Sequence, residues 1–186
     1  GMKTLLEDKF KAIRVTGTVM ANDYAGIGRG SVDEGKTYIH VTDQPEDNKY
    51  QVKDGTFKVA SSADMLGQSV TMFVQTSGSV TDPTKLTVLG GLTLTSDNKV
   101  VTLTAKKETY LKDEGLKYDS AAEYYVNFGD KKSASDAKNY KGMEMTFIDN
   151  DGDGEIDYIL QLVKTFGQVS SYVSTGDGTI YVKNLS

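Results

Sequence analysis

Apolar and polar residues alternate with a period of two over most of this chain, and that alternation predicts strands. Val70-Thr71-Met72-Phe73-Val74-Gln75, Lys99-Val100-Val101-Thr102-Leu103-Thr104 and Thr179-Ile180-Tyr181-Val182 are short β-branched runs bounded by Gly, Ser, Asn or Asp. Met143, Met145 and Phe147 alternate with Glu144, Thr146 and Ile148, and Ile156, Tyr158, Leu160 and Leu162 alternate with Asp157, Ile159, Gln161 and Val163. One polar face per strand predicts antiparallel sheet packed on one side. Helical spacing is confined to Thr4–Arg14 and to Ser61–Leu66, which Gly67 stops.

The first half reads as three strands, a short helix and two more strands: Val15–Met20, Thr37–Val41, Thr56–Val59, Ser61–Leu66, Ser69–Thr76 and Lys85–Leu89. Such an order suits a small, partly open barrel of the oligonucleotide/oligosaccharide-binding (OB-like) type. Between Lys106 and Lys141 the chain turns rich in Lys, Asp, Ser and Tyr, with a strand expected at Tyr124–Phe128. A barrel-like domain over 1–105 and a hairpin domain over 106–186 are therefore expected, with a single domain as the alternative. Two hairpins are predicted in the second part, one turning through Asp149–Gly154 and one through Gly176-Asp177-Gly178, because glycine takes the positive φ such turns need. The expected fold is mainly β: a small antiparallel barrel, then a hairpin-rich part, with few short helices.

Composition narrows the function. Hydrophobic residues make up 38% of the 186, enough to fill a core rather than leave the chain disordered. A net charge of −5 with dispersed lysines argues against a nucleic-acid partner, which needs clustered cations to displace counterions. No run of about 18 apolar residues occurs, so no membrane span is expected. Cysteine is absent, which removes disulfides, zinc ribbons and thiol nucleophiles. The N-terminus Met2-Lys3-Thr4-Leu5-Leu6 starts like a signal peptide but runs into Glu7 and Asp8. Gly1 ahead of Met2 reads as the remnant of a cleaved tag, so a natural signal sequence is expected to have been removed.

One segment carries sharp chemistry. Asp149-Asn150-Asp151-Gly152-Asp153-Gly154-Glu155-Ile156-Asp157 fits D-x-D-x-D-G-x-x-D, a spacing that lets side chains at every second position of a loop converge on Ca2+. Asp149, Asp151 and Asp153 would supply carboxylates, Glu155 its backbone carbonyl, and Asp157 a direct or water-mediated ligand. The flanks read as strands and the twelfth position is Leu160, so this is no helix–loop–helix EF-hand. The competing reading is a solvated acidic turn in which Asp and Asn satisfy their own backbone.

The remaining candidates are weaker. Ala25-Gly26-Ile27-Gly28-Arg29-Gly30-Ser31 lacks the Lys-Ser/Thr ending of a phosphate loop and reads as a flexible β-connection. His40 is the sole histidine and reads as a plain strand residue, so no triad or His-based metal site is expected, and no catalytic residue is assigned. Five tyrosines, Tyr110, Tyr118, Tyr124, Tyr125 and Tyr140, fall in one stretch, as a sugar-stacking platform or, by the commoner use, as core and cross-strand pairs.

Three phrases resemble a known family in the same order. Val15-Thr16-Gly17-Thr18-Val19-Met20-Ala21-Asn22-Asp23-Tyr24-Ala25 resembles the GxVxANxYA opening found in non-anchor regions of Firmicutes S-layer-homology proteins. Met65-Leu66-Gly67-Gln68-Ser69-Val70-Thr71 is similar to their LLGxxVTxY phrase, and Phe147 to Tyr158 to their LIDNDGDGKVDYV. The resemblance implies a secreted, wall-attached parent from a Gram-positive bacterium, and no known catalytic activity for this region. The repeats that bind wall polymer are not recognisable here, so wall anchoring itself does not carry over.

The expectation is a non-catalytic binding or structural module of a bacterial cell-surface protein, extracellular or in the cell wall and calcium-stabilised. Its partner would be a cell-wall or extracellular glycan or a protein. A carbohydrate-binding module is the alternative, and a glycan-acting hydrolase with an unassigned carboxylate pair the third reading.

Overall fold

In a computed structural model the protein is described over residues 1–46, 51–75, 82–104, 115–117, 121–139, 144–163, 167–174 and 179–184. As the alternation predicts, it is mainly β: the described residues form twelve strands, one α-helix and three short 3-10 turns.

The first sheet contains β1 (Ala12–Ala21), β2 (Thr37–Asp43), β3 (Gly55–Phe57), β4 (Ser69–Gln75) and β5 (Thr87–Leu94). Their order is β3-β2-β1-β4-β5 and every pairing is antiparallel, giving a curled half-barrel. Among the described residues no ladder joins β3 to β5. The 3-10 turn Ala63–Met65 precedes β4, and Gly67 follows it at φ 80. Thr4–Arg14 is helical only in part. The α-helix α1 runs from Met2 to Phe10, and Lys11 caps it at φ 51 with its N–H on the Leu6 carbonyl. From Ala12 the chain pairs with β4, because Ile13, Val15 and Val19 belong to the alternating core face. The fifth strand likewise starts later than Lys85, since Pro83–Lys85 forms a 3-10 turn capped by Asp82.

The second sheet contains β6 (Lys99–Thr104), β7 (Glu123–Val126), β8 (Lys131–Lys132), β9 (Glu144–Asp149) and β10 (Tyr158–Leu162), in the order β6-β9-β10-β7-β8. Its β10–β7 ladder is parallel. The change of sheet falls in the turn at Thr95–Asn98, ahead of residue 105, because β6 pairs with β9 rather than with the first sheet. The last hairpin, β11 (Gly167–Val173) with β12 (Thr179–Asn184), stands as its own two-stranded sheet. Its Gly176-Asp177-Gly178 turn lies outside the described residues.

The two five-stranded sheets share apolar packing. Val15, Val19, Ile39, Phe57, Val70, Met72 and Val74 from the first form one buried cluster with Tyr125, Ile148 and Leu160 from the second. The opposite face of the second sheet builds another cluster around Tyr124, Met145, Phe147 and Ile159, covered by Leu116, Ala122 and Ala134. So β10 has no polar face: Ile159 and Leu160 are both buried, on opposite sides.

The Gly26–Ser31 stretch is not a loose connection. Ile27 is buried in the shared cluster, the Gly28 N–H donates to the Phe128 carbonyl at 3.0 Å, and the Arg29 guanidinium lies 3.3 Å from the centre of the Tyr38 ring. A Cβ on Gly28 would fall 3.0 Å from the Tyr125 ring, so the glycine lets this loop close against the second sheet.

Candidate metal centre

The Asp-rich segment is the connection from β9 to β10, which pair antiparallel with Ile148 opposite Tyr158. Asp149 ends β9 and is fully buried. Its Oδ1 accepts N–H bonds from Gly152 at 2.7 Å and Asp151 at 3.3 Å, and its Oδ2 accepts one from Gly154 at 3.0 Å. Bonds from backbone amides to a carboxylate are charge-assisted, and three of them offset much of the cost of burying this group. The chain can wrap the carboxylate this tightly because Gly152 and Gly154 take φ of 78 and 88.

Two further turns of the same kind follow. Asp151 Oδ1 accepts the Asp153 N–H at 3.2 Å, and Asp153 Oδ1 accepts the Glu155 N–H at 2.6 Å. The result is convergent: one oxygen each from Asp149, Asp151 and Asp153 lies within 4.8 Å of the others. This donor set of hard carboxylate oxygens, two of them on exposed residues, fits a hard divalent cation.

The carboxylates of Glu155 and Asp157 are not part of that three-oxygen group. The Glu155 carboxylate pairs with the Lys117 ammonium at 2.6 Å. The bridge between these two residues uses the Gly154 carbonyl and the Ile156 N–H, so the Glu155 carbonyl takes no part in it. Asp157 Oδ2 accepts the Asn150 N–H at 2.7 Å. Burial raises the Asp157 pKa, and the charges of Asp151, Asp149 and Asp153 push it in the same direction.

Asn150 has a role its position in an acidic turn does not advertise. Its Oδ1 accepts the Ser69 N–H at 2.9 Å and its Nδ2 donates to the Gly67 carbonyl at 2.9 Å. One amide thus clamps the Asp-rich loop of the second sheet onto the start of β4 in the first. Asn98 braces the same point, accepting from Ser69 N–H at 3.1 Å and donating to the Ser69 carbonyl at 2.7 Å.

Beside the clamp, the polar face of the first sheet forms a groove of about 720 Å³. Alternation along the strands puts Val15, Val19, Val70 and Met72 in the core and leaves Thr16, Thr18, Thr71 and Phe73 facing the groove. Asn150, Asp151, Asp157 and Tyr158 from the second sheet form one of its walls. Burial, with the charges of Glu123 and Asp157, pushes the Tyr158 hydroxyl up to about 12 against the opposing Thr18 hydrogen bond, so Tyr158 remains a neutral phenol.

His40 also lines the groove, and its Nδ1 meets Asp54 Oδ2 at 2.6 Å. Burial opposes ionisation of Asp54, yet bonds from His40 and the Val41 N–H hold its carboxyl below the ordinary range. Of the five clustered tyrosines, Tyr124 and Tyr125 are buried, with hydroxyls on Gln161 and Glu123, and they present no face to an external sugar. Tyr110, Tyr118 and Tyr140 lie outside the described residues.

No family model, curated protein or solved structure matches this chain.

Proposed function

We propose that this chain is a non-catalytic binding module of a secreted, wall-associated protein of a Gram-positive bacterium, stabilised by calcium on its Asp-rich loop. The observation that carries the reading is the convergence of Asp149, Asp151 and Asp153 on one point while Asn150 ties that loop to the neighbouring sheet. Asp149, Asp151 and Asp153 would hold the ion, with the Glu155 carbonyl and Asp157 as further oxygens of the same loop. Calcium supplies positive charge that cancels the mutual repulsion of these acids. Loops of this kind in extracellular modules bind calcium with dissociation constants of about 10⁻⁴ to 10⁻³ M, which suits a site outside the cell. The resemblance of three ordered phrases to S-layer-homology proteins supports the location.

A ligand that favours the native state stabilises it by mass action, by about 2.7 kcal/mol at a hundredfold excess over its dissociation constant. The melting temperature is therefore expected to rise in calcium and to fall back in chelator. Asp151→Asn keeps the oxygen that accepts the Asp153 N–H but removes the charge, and it should abolish the rise. Asp177→Ala, at the Asp177-Gly178 step of the sequence, should leave it intact. A melting temperature indifferent to millimolar calcium overturns the metal site.

A further inference from the structure

We propose that the groove on the polar face of the first sheet binds a neutral, polyhydroxylated ligand, a stretch of glycan chain. The proposal rests on the binding-module reading above but not on the metal. Its first support is the register of the floor. Thr16 pairs with Asp43 on one side and Thr71 on the other, and Thr71 pairs with Thr93. These four residues form one row across β2, β1, β4 and β5. With strands about 4.8 Å apart, that row is about 14 Å long, more than the width of one sugar ring.

The second support is the chemistry of the lining. Threonine hydroxyls donate and accept, so they meet a sugar hydroxyl whichever way it is oriented, and a carboxylate such as Asp43 accepts from two neighbouring hydroxyls at once. Phe73 sits half-buried on this face, opposite Arg14 in the register, and Leu94 and Tyr158 are the other large apolar or aromatic residues that line the groove. An aromatic ring amid alcohols offers the apolar C–H face of a sugar a surface to stack on.

Charge excludes the competing ligand classes. Asp43 and Asp97, joined by Asp151 and Asp157 when the loop holds no calcium, line the groove against the single guanidinium of Arg14 and beside His40, which disfavours phosphates, nucleic acids and acidic polysaccharides. A cationic peptide would pair with the acids, but it would leave the threonine row and Phe73 unused and would face Arg14. A greasy ligand would strip water from the hydroxyls without replacing their hydrogen bonds. A neutral glycan uses the row, the acids and the ring together.

The test is binding of soluble neutral oligosaccharides, with oligomers of glucose, xylose, mannose and N-acetylglucosamine as probes, by calorimetry or by NMR shifts of the groove amides. Thr16→Val together with Thr71→Val removes two hydroxyls at constant shape and keeps β-branching, so the fold is expected to melt as wild type does. The expected result is that one probe class binds wild type and binds the double variant at least tenfold more weakly. Thr102→Val with Thr146→Val, a hydroxyl pair on the second sheet, should bind as wild type does. Absence of binding by every probe at millimolar concentration overturns the proposal. So does binding that the groove variant leaves unchanged, or displacement of the probe from wild type by oligolysine. Running the series in calcium and in chelator separates the two readings. Binding that survives chelator and fails in the groove variant upholds the glycan site even where the melting temperature ignores calcium.

Discussion

Asn22 is wholly buried, and every polar atom of its side chain is engaged. Oδ1 accepts the N–H groups of Tyr24 at 3.1 Å and Ala25 at 3.2 Å, and Nδ2 donates to the Ser62 carbonyl at 2.9 Å. An amide in this role lets the chain leave β1 and fold back so that Ile27 reaches the core. Asn22→Ala removes three part-buried hydrogen bonds to the backbone, and losing a set of this kind costs about 1–3 kcal/mol. The expected outcome is a fall of that order in unfolding free energy by urea titration. A change within experimental scatter would show that the turn closes without the amide. Glu123 makes a second prediction at this scale. Burial opposes its ionisation, but the Lys131 ammonium at 2.8 Å and the Tyr125 hydroxyl at 2.6 Å hold its carboxyl below the ordinary range. A depressed acid stabilises the fold above its unfolded pKa, about 4.3, and loses that contribution as pH falls through the folded value. Wild type should therefore be more stable than Glu123→Gln at neutral pH, with the gap closing below about pH 4. Urea melts giving the same gap at both pH values would refute the assignment.

At the scale of elements, the most legible parts of the sequence are strands with one apolar and one polar face. The period-two run Val70 to Gln75 lies within β4, and Lys99 to Thr104 coincides with β6. What the sequence hides is set by contacts distant along the chain. β10 is buried on both sides, so Ile159 and Gln161 look like an outward face although both are inaccessible. Helix α1 stops at Lys11 because the next residues are needed in β1, and a local helical pattern does not reveal that competition. The candidate site divides the same way. The convergence of Asp149, Asp151 and Asp153 is readable because it arises within five residues. The clamp from Asn150 to Gly67 and Ser69 spans about eighty positions and leaves no local trace. Its role is testable. Asn150→Ala removes both bonds across the sheets, and should cost about 1–3 kcal/mol while also weakening the calcium-dependent rise in melting temperature. Loss of stability with an undiminished calcium effect would make the clamp structural only.

For the molecule as a whole, the question is whether two sheets make two units or one. Ile148 is almost fully buried and its Cδ1 is the nearest atom to where a Cβ on Gly67 would stand, at 2.7 Å. Tyr125 and Leu160 enter the same cluster, so the second sheet supplies part of the first sheet's core. Unfolding either sheet alone would expose these side chains together with Val70 and Met72, which couples the two transitions. Ile148→Ala is therefore expected to cost about 2–5 kcal/mol, the usual range for emptying a core position. The loss should appear equally in β4 and in β10 by native-state hydrogen exchange, because both amide sets open through the same global event. Calorimetry should give one transition whose measured and van't Hoff enthalpies agree. The hairpin β11–β12 is the expected exception. Its apolar side chains Val169, Ile180 and Val182 stand exposed, and a lone two-stranded ribbon is marginal in water, so its amides should exchange well before the rest. If Ile148→Ala speeds exchange in β10 while β4 keeps its protection, the sheets are independent, and the shared cluster is a contact surface between two folding units.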